Sequence, residues 1–84
     1  MEREQGHSQV AIEHASEAVT LYRQLADVSP VEMANALRVW ALAQAAEGDT
    51  AATRAAWREA RKLYATARIE AGVTECEMHL RRGP

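Results

Sequence analysis

Few side chains in this sequence are suited to acid–base or nucleophilic chemistry: His7, His14 and His79, Cys76, and the aspartates Asp27 and Asp49. None stands in a pattern that catalysis requires. No serine sits in a Gly-x-Ser-x-Gly turn, and no His-Glu-x-x-His pair places two imidazoles and a base on one helical face. His7 and His14 lie two helical turns apart with Glu17 close by, a spacing able to hold a metal. On an acidic helix such side chains are far more commonly solvated, so neither a metal nor a cofactor is expected. Cys76 has no basic neighbour placed to lower its thiol pKa and reads as a small core residue. The chain is therefore expected not to be an enzyme.

The elements that carry these residues are announced by a repeat. Glu17-Ala18-x-x-Leu21-Tyr22 returns 42 residues later as Glu59-Ala60-x-x-Leu63-Tyr64. Gly6 and Gly48 precede the two copies at equal distance, and Val31 matches Val73, which makes six identical positions at this offset. Self-similarity at a period of a few tens of residues is the mark of a helical repeat. Such a unit cannot bury its apolar face alone, so it stacks on neighbours and offers a surface to a partner. Binding or assembly is the class of work this predicts.

Composition points the same way. Among 84 residues there are eighteen alanines, no phenylalanine and four aromatic side chains. Alanine is the strongest helix former, while valine, isoleucine and threonine are sparse and never alternate, so an all-α domain is expected. No run of eighteen apolar residues could span a bilayer. The opening Met1-Glu2-Arg3-Glu4-Gln5 is no signal peptide, and one cysteine suits a reducing compartment. A cytoplasmic location is the expectation.

Stop and start signals divide residues 1–84 into four helices, at about 8–27, 30–47, 50–69 and 74–82. Ser29-Pro30-Val31-Glu32 is a capping box with proline at the first helical position, and Thr74-x-x-Glu77 repeats the pattern. Gly48 ends the second helix, with Asp49 or Thr50 free to cap the third. Short connections predict antiparallel hairpins. Apolar residues recur at steps of three and four in the first helix (Ala11, Ala15, Ala18, Tyr22, Leu25) and the third (Ala52, Ala56, Ala60, Leu63, Ala67). In the second, Val31, Ala34, Leu37, Val39, Trp40, Ala41, Leu42 and Ala43 cover nearly the whole circumference. That helix should lie sandwiched between the first and third, with Trp40 the most enclosed large residue.

These residues carry a family resemblance over essentially the whole chain. Gly48-Asp49 followed by Trp57, Ala60 and Leu63 resembles the turn and second helix of a tetratricopeptide (TPR) repeat. Leu37, Trp40 and Ala41 fit the first helix of the same repeat. The period is 42 rather than about 34, Gln44 stands where a large apolar residue is common, and Thr53 replaces a usual alanine. In these departures the chain is similar to the longer TPR-like units of large bacterial signalling ATPases and transcriptional regulators. The resemblance implies a short solenoid of stacked antiparallel hairpins that docks a protein or peptide. It also implies that the first helix of each pair lines the concave surface, which makes Asn35, Arg38, Leu42 and Ala45 the expected contacts. TPR domains that grip a C-terminal carboxylate follow a basic residue with asparagine one turn later; Leu42 takes that place after Arg38, so this clamp is not expected.

Charge is distributed unevenly. Residues 1–49 carry a net of −5 and residues 50–68 a net of +4. Arg54, Arg58, Arg61 and Arg68 fall on one stripe of the third helix, opposite the alanine seam. A basic helix after a glycine turn is also a feature of DNA readers, yet the whole chain is acidic at −2 and lacks a basic arm. A solvated outer face, or an electrostatic contact with a protein, is the expectation over nucleic acid. Helices at the two ends of the stack leave apolar sides open, so a homodimer is predicted through Val10, Ile12, Val19, Met78 and Leu80, with opposed charges at its rim.

Overall fold

The computed structural model describes residues 2–25, 27–48 and 50–82, with side chains from residue 9 onward except that of residue 47. The chain forms four helices: α1 (Glu2–Gln24), α2 (Pro30–Glu47), α3 (Ala51–Thr66) and α4 (Glu70–Arg82). Each helix packs against the next, and among the described residues no other pair of helices brings its backbones together. The result is an all-α layer of antiparallel neighbours measuring 38 × 29 × 19 Å.

Local chemistry sets the bounds of α2. Ser29 is extended at φ −71°, ψ 152°, and its Oγ accepts from the Glu32 N–H at 3.1 Å. Pro30 follows at the first helical position, where a missing N–H costs nothing. The helix stops at Gly48, whose φ of 135° is open to glycine alone; the N–H there returns to the Ala45 carbonyl at 3.2 Å. Thr50 caps α3, its Oγ1 accepting from the Thr53 N–H at 3.2 Å. The other expected cap, Asp49, lies outside the described residues.

Four boundaries differ from the sequence expectation by more than one residue. α1 begins at residue 2 rather than 8, because Gly6 is carried within the helix, and it closes at Gln24 with Leu25 N–H bonded to the Tyr22 carbonyl. α3 ends at Thr66, not 69. There Ile69 N–H reaches back to the Tyr64 carbonyl at 2.8 Å and Arg68 N–H to Ala65 at 3.0 Å, the paired bonds of a Schellman turn. Arg68 occupies the left-handed position that glycine usually fills, at φ 62°. Because that turn reverses the chain at once, α4 starts at Glu70 instead of 74, and Thr74-x-x-Glu77 falls inside a helix instead of capping one.

An interior glycine makes the α3–α4 contact. A Cβ at Gly72 would lie 2.5 Å from Cγ of Tyr64, so the tyrosine ring lies flush against the α4 backbone. Around it the core gathers Met33, Ala34, Leu37, Ala41, Ala56, Trp57, Ala60, Tyr64 and Cys76. Thr53 is fully buried with them, its hydroxyl 3.1 Å from Thr50 Oγ1. The enclosed large residue is Trp57, 2% exposed, and not Trp40, which is only half-buried. The reason lies in the neighbours. Trp57 stands between α2 and α4 and stacks on His79 with ring centres 4.0 Å apart. Trp40 instead borders an open groove between α1 and α3. α2 does lie between α1 and α3, as its apolar circumference predicts, but α3 is flanked in the same way.

Candidate partner-binding surface

Two neighbours do not cover α2. Its apolar residues run round the helix, and with α1 on one flank and α3 on the other a third flank stays open. Asn35, Leu42 and Ala45 are exposed there, together with Val39. Val39 is 47% and Leu42 37% exposed, although both are large and apolar.

Ion pairs and hydrogen bonds hold this flank in place from below. The Tyr64 hydroxyl donates to Asn35 Oδ1, tying the end of α3 to the start of α2. Burial of that ring holds its hydroxyl pKa above the ordinary tyrosine value, so it remains a donor. Arg38 is half-buried, with its Nε donating to Glu75 Oε1 of α4 at 2.7 Å. This hydrogen bond raises the guanidinium pKa further and fixes the side chain along the surface. The other oxygen of Glu75 lies 3.8 Å from Nε2 of His79, whose ring is stacked on Trp57. Polar groups from three helices are thus committed to one another around an apolar strip. Held in this way, the surface is pre-formed.

Beside the strip runs a shallow groove of about 400 Å³ between α1 and α2. Ala15, Ala18 and Ala36 form its floor, Tyr22 and Val39 its walls, and His14 and Glu32 part of its rim. Small residues on the floor permit close approach of another backbone. On the opposite side of the layer Arg23 forks onto Glu59 with both nitrogens, at 2.9 and 3.0 Å, and bridges α1 to α3 across a second groove. That pair is largely exposed and contributes about 0–1 kcal/mol.

The structure distributes the remaining expected residues differently. Arg54, Arg58, Arg61 and Arg68 do not act as one outer stripe. Nη2 of Arg54 donates to the Leu80 carbonyl at 2.9 Å and Arg61 stands 3.9 Å from Glu77, because α4 packs along that edge of α3. Arg58 is exposed, and Arg68 lies beyond the helix end. The expected self-association set is divided as well. Val10 and Met78 are half-exposed, Ile12 is intermediate, and Val19 and Leu80 pack against the core. They lie at opposite ends of the layer. Leu25, which the spacing assigns to the apolar stripe of the first helix, is 51% exposed just past the end of α1, and Leu21 is 52% exposed.

Of the chemistry-bearing residues, Cys76 is fully buried, and burial pushes its thiol up to about 11, with Glu75 adding to the shift. A thiol so placed is protonated and unreactive at neutral pH. The side chain of His7 lies outside the described residues. Among the described residues no helix is long and apolar enough to cross a membrane. No protein-family model, no curated protein and no solved structure matches the chain.

Proposed function

We propose that this chain is a non-catalytic protein–protein interaction module of the TPR-like type, working in the cytoplasm as part of, or partner to, a bacterial regulatory protein. One observation carries the reading. The second helix is apolar round nearly its whole circumference, its own chain covers two flanks, and the third exposes Val39 and Leu42 on a surface already braced by Tyr64–Asn35 and Arg38–Glu75. Exposed apolar groups on a rigid, polar-rimmed support suit a protein or peptide segment better than a small substrate. An amphipathic helix laid along the strip, its apolar face toward Val39, Leu42 and the alanine floor of the adjoining groove, is the partner that fits.

The repeat reading draws support from the packing. Among the described residues only consecutive helices bring their backbones together, and α1 and α3 end at Gln24 and Thr66, one 42-residue period apart. Nucleic acid loses support, since two of the four arginines are engaged by α4.

The test uses a photo-reactive side chain at Val39 or Leu42 to trap the partner, followed by titration of the trapped segment. Leu42→Arg should weaken binding at least about tenfold with the helical circular dichroism unchanged. Binding that ignores Leu42→Arg and collapses on Arg58→Glu would move the site to the outer face of α3 and sink the proposal.

A further inference from the structure

The outer side of α1 carries a stripe that its own chain leaves bare. Val10 and Leu21 are 50% and 52% exposed, and His14 and Glu17 between them are exposed too. Steps of four, three and four keep these four residues on one face of the helix. It is the heptad spacing by which two helices pair.

The repeat shows what the stripe is not. Its counterpart on α3, one period on, is Ala52, Ala56, Glu59 and Leu63. There most of the stripe is an internal contact: Ala56 is 5% exposed, Leu63 packs against the core and Glu59 pairs with Arg23 of α1, while Ala52, itself exposed, lines the groove beside them. The methyl group at 56 lets the neighbouring helices in. α1 has an imidazole at that place. Burying His14 where α3 buries a methyl would strip water from a polar ring without supplying a partner. This face of α1 is therefore not shaped to receive a preceding helical pair in the way that α3 receives α1 and α2.

The stripe is, however, complementary to itself. With a second α1 laid antiparallel about a two-fold axis between residues 15 and 16, Val10 meets Leu21 of the partner subunit and His14 meets Glu17 of the partner subunit. One apolar contact and one pair of opposite polarity are each made twice by symmetry, so two apolar contacts flank two polar pairs. Parallel pairing would set histidine on histidine and glutamate on glutamate. We infer that two copies of this chain associate through α1 in this antiparallel register. The interface lies on a different face from Val39 and Leu42 and meets the proposed partner surface only at His14, on the rim of the adjoining groove.

Sedimentation equilibrium of the full chain from about 1 μM to about 1 mM, the range in which small interfaces dissociate, tests the inference. A reversible monomer–dimer equilibrium is expected. Leu21→Asp should leave a monomer throughout with its helical circular dichroism intact, since this side chain is half-exposed and makes no part of the core. Glu17→His should weaken the dimer about tenfold by setting histidine against His14. Adding His14→Glu to that variant restores opposite polarity with the residues exchanged, and should return the affinity to within about threefold. A monomer at every concentration in the unmodified chain overturns the inference. So does a dimer indifferent to Leu21→Asp, or a double exchange no tighter than Glu17→His alone.

Discussion

The hairpin of α1 and α2 and the hairpin of α3 and α4 share five identical residues at an offset of 42, and these residues meet different fates. Ala60 is fully buried, whereas Ala18 is half-buried. Tyr64 is 4% exposed, lies against Gly72 and donates to Asn35. Tyr22, at the same place in the first copy, is only partly buried at the edge of the core. Leu21 is 52% exposed, while Leu63 packs against the core. The side chains are the same; the difference is that α3 has a helix on each flank and α1 has one. A side chain is buried only where neighbours cover it, which is why α1, flanked by one helix among the described residues, keeps open surface.

Removing the large side chain of the enclosed copy should break the comparison most. Trp57→Ala should cost about 3–5 kcal/mol in urea unfolding, because the site is closed between α2 and α4 and cannot collapse. Trp40→Ala, on the groove side, should cost less than half of that. Equal losses would mean that the two tryptophans are equally enclosed. The tyrosine pair gives a smaller contrast. Tyr64→Phe deletes the bond to Asn35 and should cost about 0.5–1.5 kcal/mol. Tyr22→Phe, whose hydroxyl has no partner among the described residues, should lie within about 0.5 kcal/mol of the parent. The smallest effect runs the other way. Arg68→Gly should stabilise by up to about 1 kcal/mol, since glycine takes the left-handed turn without steric cost; a destabilisation there would show that the arginine side chain matters more than its backbone.

Much of this architecture was legible in the residues, and the failures have physical causes. Ser29-Pro30 and Gly48 bound α2 through short-range chemistry, so that helix runs from 30 to 47 as expected. The end of α3 was hidden because Arg68 adopts a conformation that its residue type does not advertise. Glycine is a poor helix former, and Gly72 stands inside α4 because a tyrosine ring from α3 needs the space. On the candidate surface, the spacing of residues 35, 38, 42 and 45 places them along one side of α2. That Glu75 claims Arg38, and that Val39 joins the exposed strip, depends on where α4 and α1 come to rest.

By itself the sequence determined four helices, their antiparallel order and the periodicity that relates them, because caps, alanine content and three–four spacing act over a few residues. Tertiary structure alone decided which copy of each repeated residue is buried, which arginines are engaged and which tryptophan is enclosed. Those outcomes depend on the number of helices that flank each face, and no residue encodes that count in its own neighbourhood.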